Sequence, residues 1–172
     1  MGENGEDMNR RRYLAGAIST GTLALAGCTG FGNDLYEENA GEYLLSFDEV
    51  NRILPGNVSG REVEYEEDEE IDSGRSYRFQ DGSLAEFGLM VCKSVDDAET
   101  VYDDLVWQVN NTGATEGEQL DLGSEAIFDE ASGGRVLGIR LDNVLIQMNG
   151  STSLPDMERL AVAQIDKIQE VG

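Results

Sequence analysis

Behind Ser94 the apolar residues Val95, Ala98, Val101, Tyr102, Leu105, Val106 and Val109 recur at helical spacing. A stripe with that period buries one flank of a helix and nothing else. It predicts an amphipathic helix running to about Asn110. Asp96, Asp97, Glu99, Asp103 and Asp104 form its polar face.

The stretches on either side carry strand and turn signals, so this helix divides the chain into two β-forming halves. In the first half Ser46-Phe47-Asp48-Glu49 is a capping box, and Leu45 and Val50 make the accompanying hydrophobic staple. A short helix is expected from there to Leu54, stopped by Pro55-Gly56. Strands are expected around Val63 to Glu66, Tyr77 to Gln80 and Leu84 to Lys93, with turns at Ser73-Gly74 and Asp81-Gly82. In the second half the strands are Ala126 to Asp129, Arg135 to Leu141 and Val144 to Asn149. Asp142-Asn143 suits a tight hairpin, because both residues tolerate positive φ. Leu154, Met157, Leu160, Ala161, Ile165 and Ile168 line a closing helix that begins near Ser153 and Pro155.

The expected fold is therefore α+β, a mainly antiparallel sheet packed with helices, in the order helix, strands, helix, strands, helix. The arrangement is loosely similar to small sandwich domains of the Mog1/PsbP type and to sensor domains of bacterial surface lipoproteins.

The solvent is written in the charge. Thirty-five acids against twelve basic residues give −23. The acids are interleaved with apolar residues along the whole chain, which describes neither a disordered segment nor an acidic tail. At about 1 M salt the Debye length is about 3 Å, so such a surface repels itself little and holds water and cations. Only two of the twelve basic residues, Lys93 and Lys167, are lysines. Few long lysine stems leave little exposed apolar area for concentrated salt to drive together. The pattern resembles proteins of halophilic archaea. A surface this anionic has no basic stripe to neutralise phosphates, so nucleic acid is excluded as a partner.

The amino terminus reads as an address. Paired arginines in Asn9-Arg10-Arg11-Arg12-Tyr13-Leu14 precede the uncharged stretch Ala15 to Ala26, and Leu25-Ala26-Gly27-Cys28 follows. The first element resembles a twin-arginine export signal carried by Arg10 and Arg11, and the last resembles a lipobox. The apolar stretch falls short of the roughly 20 residues that span a bilayer. The resemblance implies cleavage before Cys28 and a two-chain lipid on its thiol, enough for stable anchoring. It makes residues 1–27 a signal peptide, 28–41 a lipidated tether and 42–172 a single domain on the extracellular face of the cell membrane. Removing residues 1–27 takes away three arginines and three acids, so the exported domain keeps the full −23.

Chemistry is sparse by comparison. There is no histidine, which removes the commonest general base, the usual nucleophile pairs and most zinc and haem sites. Neither GxxxxGK[ST] nor GxGxxG occurs. The acidic run Glu62 to Asp72 has acids at loop positions one, three and five from Asp68, but Ser73 stands where a calcium loop needs glycine and Phe79 where it needs glutamate. A solvated acidic edge is the reading preferred there. Cys92, in an apolar run, reads as a buried core residue, and Trp107 reads as packing rather than as a stacking platform. Asn57, Asn110 and Asn149 fit the glycan acceptor pattern. No cofactor or metal is implied. The expected function is a non-catalytic binding or interaction domain for a protein or small molecule, with a surface hydrolase working through two carboxylates as the alternative.

Overall fold

A computed structural model of the chain describes residues 35–54, 59–81, 83–112, 117–131 and 134–172. The export signal at Arg10 and Arg11, the lipid-bearing Cys28 and the sequon residue Asn57 lie outside them.

The described residues form an α+β fold. Helices α1 (Ala40–Tyr43) and α2 (Phe47–Ile53) lead into strands β1 (Ser59–Tyr65), β2 (Ile71–Asp81) and β3 (Leu84–Cys92). Helix α3 (Val95–Thr112) follows, then β4 (Glu118–Gln119), β5 (Glu125–Ala131), β6 (Gly134–Leu141), β7 (Val144–Gly150) and α4 (Leu154–Val171). The strands make one seven-stranded sheet in the order β1-β2-β3-β7-β6-β5-β4, with every pairing antiparallel.

Both faces of the sheet are covered at its centre. Alternation along the strands sends Phe87, Leu89 and Val91 of β3, Leu137, Ile139 and Leu141 of β6, and Val144, Ile146 and Met148 of β7 to one face. There they are buried with Tyr43 of α1, Val50 of α2, and Met157, Leu160 and Ile168 of α4. The opposite face carries Cys92, Leu145 and Ile127, which pack with Ala98, Tyr102 and Val109 of α3. Burial on both sides explains why β3 reads as the unbroken apolar run Phe87 to Cys92 instead of alternating with polar residues.

The local signals work as chemistry requires. Ser46 and Glu49 exchange their capping-box bonds, with Ser46 N donating to Glu49 Oε2 at 2.7 Å, and both staple residues, Leu45 and Val50, are buried. Asp97 N donates to Ser94 Oγ at 3.1 Å to start α3. The β6–β7 hairpin turns on Asp142 at φ 51°, and Leu141 pairs with Val144 across it. The link between α1 and α2 is held by α4: Gln164, fully buried, accepts from Leu45 N at 3.0 Å and donates to the Tyr43 carbonyl at 2.8 Å. A buried amide that satisfies two buried backbone groups leaves nothing orphaned.

Three expectations are corrected. Ser73-Gly74 is not a turn but lies inside β2, where Gly74 pairs with both Tyr65 and Met90. Its missing side chain makes room for the Tyr65 ring, since a Cβ there would lie 2.8 Å from Tyr65 Cδ2. Second, the tether read as reaching Gly41 gives way to packed structure earlier. Ala40 is buried, Tyr36 stacks edge-on against Tyr43 with ring centroids 5.8 Å apart, and Tyr36 N donates to Asn143 Oδ1 at 2.9 Å. The reason is that Tyr36 and Ala40 bring apolar surface to a segment whose composition is otherwise polar. Third, Trp107 does not pack into the core. It is 65% exposed.

Candidate binding cleft

Helix α3 lies over β3, β7, β6 and β5 and leaves the β2 side of the same sheet face uncovered. Because Val101 and Leu105 sit on the flank of the helix toward that side, they are only half-buried and become one wall of a cleft of about 310 Å³. Thr100, Asp104 and Gln108 continue the same wall. Met90 of β3, Leu145 and Gln147 of β7 and Ile71 of β2 form the floor. The opposite lip is the β1–β2 connection, through Asp68 and Glu70.

That lip is a built turn. Asp68 Oδ1 accepts from Glu70 N at 3.0 Å and from Ile71 N at 2.7 Å, an arrangement that lets a short acid replace backbone partners. Lys93 Nζ donates to the Asp68 carbonyl and lies 3.6 Å from Glu67. The acidic run is thus tied down at several points, since Glu62 and Glu64 each reach Arg75 at 2.6 Å. No group of three or more metal-ligating side chains is present among the described residues.

Further along the same sheet face, beyond Gly88 and Gln147, a polar cluster centres on Glu86. Its carboxylate accepts from Tyr65 Oη at 2.9 Å, Ser76 Oγ at 3.1 Å, Arg78 Nε at 3.3 Å and Asn149 Nδ2 at 3.4 Å. Tyr65 reaches it by lying across Gly74, with the equally bare Gly88 alongside. Partial burial pushes the Glu86 carboxyl up, and the four donors outweigh it and hold the group below its ordinary range. Three of the four bonds fall on Oε1 and one, the longest, on Oε2, so the neighbours fix the orientation of the carboxylate.

The remaining candidates fall as follows. Cys92 is buried, and that burial, with Asp97, Asp68 and Glu70 nearby, pushes its thiol up to about 12, which makes it inert. Asn110 is exposed at the end of α3, its Oδ1 accepting from Gly117 N at 3.1 Å. Asn149 sits within β7, half-buried, with its amide nitrogen on Glu86. Tyr102 carries a buried hydroxyl that has no hydrogen-bond partner among the described residues. The cleft itself has no signature in the sequence, because it comes from where α3 crosses the sheet and not from any local spacing.

No protein-family model matches the chain, and no curated protein matches it. Among solved structures, it is similar to a GTP-binding regulator from Thermotoga maritima, at 14% identity over 77% of this chain and 95% of that chain. The TM-score is 0.43, too low for the likeness to carry an argument. No described helix is long and apolar enough to cross a membrane.

Proposed function

We propose that this protein is a lipoprotein of a halophile, exported through the twin-arginine route, anchored on the extracellular face through Cys28, and acting there as a non-catalytic binding domain. The observation that carries the binding reading is the cleft beside α3, a concavity of about 310 Å³ lined by apolar and polar side chains together, of the size ligand sites take. Support for the address comes from the order Arg10-Arg11, Ala15 to Ala26, Leu25-Ala26-Gly27-Cys28.

One feature favours binding over hydrolysis. Asp68, a carboxylate on the cleft, spends an oxygen on two backbone amides, which suits it poorly to be the acid, base or nucleophile of a two-carboxylate hydrolase.

The anchor is tested by Cys28→Ser, which is expected to be exported and to leave the membrane fraction. Sedimentation of that variant with membranes after a high-salt wash would remove the lipid from the account. The cleft is tested by isolating the intact lipoprotein from native membranes beside Thr100→Arg, whose long side chain fills the site. A small molecule or protein held by the natural chain and lost from the variant is expected, and identical co-purifying material from both would end the binding reading.

A further inference from the structure

Two asparagines of the glycan acceptor pattern, Asn110 and Asn149, lie among the described residues, and the fold treats them differently. Asn149 is half-buried in β7, a strand paired on both sides, with Glu86 of β3 and Val136 of β6 as its partners. Its Nδ2, the atom to which a glycan is joined, donates to Glu86 Oε2 at 3.4 Å. A sugar there would break that bond and fall on the Glu86 cluster. Asn110 is exposed in the last turn of α3, and Asn111 beside it is exposed as well. Asn110 Oδ1 accepts from Gly117 N at 3.1 Å. That partner is a donor, so the amide oxygen is held on the Gly117 side and the nitrogen is turned away from it.

Trp107 supplies an independent feature. At 65% it is the most exposed large apolar side chain among the described residues, one turn back from Asn110 on the same helix. Residues at i and i+3 are surface neighbours, and Cα–Cβ bonds lean toward the start of a helix, so a group carried on Asn110 comes to lie over Trp107. A bare indole is out of keeping with a surface otherwise suited to brine, where concentrated salt drives exposed apolar groups together. The C–H face of a pyranose ring carries weakly positive hydrogens and suits the negative face of an indole.

We infer that Asn110 carries an N-linked sugar whose first ring rests on Trp107. The inference rests on the export reading above, because its donor is a sugar held on a lipid phosphate at the outer face of the membrane. In the transfer Asn110 Nδ2 bonds to the anomeric carbon and the bond from that carbon to the phosphate oxygen breaks. The lipid phosphate leaves, the amide proton passes to a base of the transferring enzyme, and nothing is oxidised or reduced. Thr112 completes the acceptor pattern.

The test is peptide mass spectrometry on the full chain isolated from its native cells, with the amino-terminal peptide reporting whether residues 1–27 have been removed. A sugar is expected on Asn110 and none on Asn149. Asn110→Gln and Thr112→Ala should both lose it, and Thr112→Ser should keep it. The fluorescence of Trp107, the only tryptophan, is the second readout. Its quenching by acrylamide should rise about twofold in Thr112→Ala, as one of the two ring faces is uncovered. An unmodified Asn110 on chains that have lost residues 1–27 overturns the inference and leaves the export reading standing. An unmodified Asn110 on chains that keep residues 1–27 inside the cell overturns both. A sugar on Asn149 in place of Asn110, or a sugar on Asn110 with the same quenching in Thr112→Ala, overturns the inference too.

Discussion

Leu105 of α3 fills the hollow that Gly138 leaves in β6: a Cβ at position 138 would lie 2.3 Å from Leu105 Cδ2. Gly138→Ala should therefore cost about 1 to 3 kcal/mol as an overpacking change. Leu105→Ala should also cost about 1 to 3 kcal/mol, below the range for a fully buried leucine because one flank of Leu105 borders the cleft. The double variant should lose less than the sum, since each change relieves the other. Urea unfolding at molar salt measures all three, and strict additivity would mean the two side chains do not compete for the same space. Asp103→Asn, exposed, should shift stability by less than about 0.5 kcal/mol.

Asn143 holds the amino-terminal segment of the domain. One percent exposed, it accepts from Tyr36 N and donates to the Tyr36 carbonyl at 3.0 Å and the Cys92 carbonyl at 2.9 Å. Asn143→Ala leaves buried backbone groups unpaired and should cost about 2 to 4 kcal/mol. Limited proteolysis should show new cleavage between Leu35 and Tyr43. Unchanged protection of that segment would mean that Tyr36 is held by its ring contact alone.

Acid should weaken the fold through Glu49 and Glu86. The Ser46 hydroxyl and amide hold Glu49 below its ordinary value of 4.5, helped by Lys167, and the four donors described above do the same for Glu86. Both groups bind protons less readily when folded. Their contribution is fully present above pH 4.5 and is lost as pH falls through their depressed folded values. Urea midpoints followed from neutral pH downward should fall in that window, and Glu86→Gln should fall less steeply. A variant with the natural slope would show that the cluster does not respond to its own protonation.

The Cys92 thiol, pushed up to about 12, is almost wholly protonated near neutral pH and shut away from reagents. In the Cys28→Ser background it should resist alkylation in the native protein and react promptly in urea. Fast labelling of the folded form would place Cys92 in an opening that the packing under α3 does not have.

Screening of the −23 charge predicts a salt requirement. Circular dichroism should show the fold at molar sodium chloride and its progressive loss below, because mutual repulsion among unscreened acids favours the expanded chain. Full cooperative stability at about 50 mM, where the Debye length exceeds 10 Å, would count against adaptation to brine.

How much of this could be read from the sequence depended on how far each signal acts. The Asp142-Asn143 hairpin, the capping box at Ser46 and the stripe from Ala98 to Val109 are local in origin, and each produced the expected element. Gly74 misled because glycine marks both turns and close approaches, and only the register of β1 on β2 shows that Tyr65 needs the space. Trp107 follows the polar phase of α3, not its apolar stripe, so its large apolar ring was a weaker guide than its position. Helix α1, only four residues long, has too few for any period to show. The cleft depends on which strands α3 crosses, a decision made by pairs such as Leu105 and Gly138 that lie far apart in the chain.

The strand order has one more implication. Strands β1, β2 and β3 are sequence neighbours that lie side by side, and β4 to β7 are likewise, so within the sheet a single ladder, β3 against β7, joins two separate meanders. Leu89 facing Ile146 and Phe87 facing Met148 form that seam, and all four are buried. Every other ladder closes over a short stretch of chain, at little entropic cost. Assembly of the sheet thus comes down to one long-range recognition event between two half-sheets. Nicked between Thr112 and Gly117, the protein should separate into two fragments that find each other again through that apolar seam.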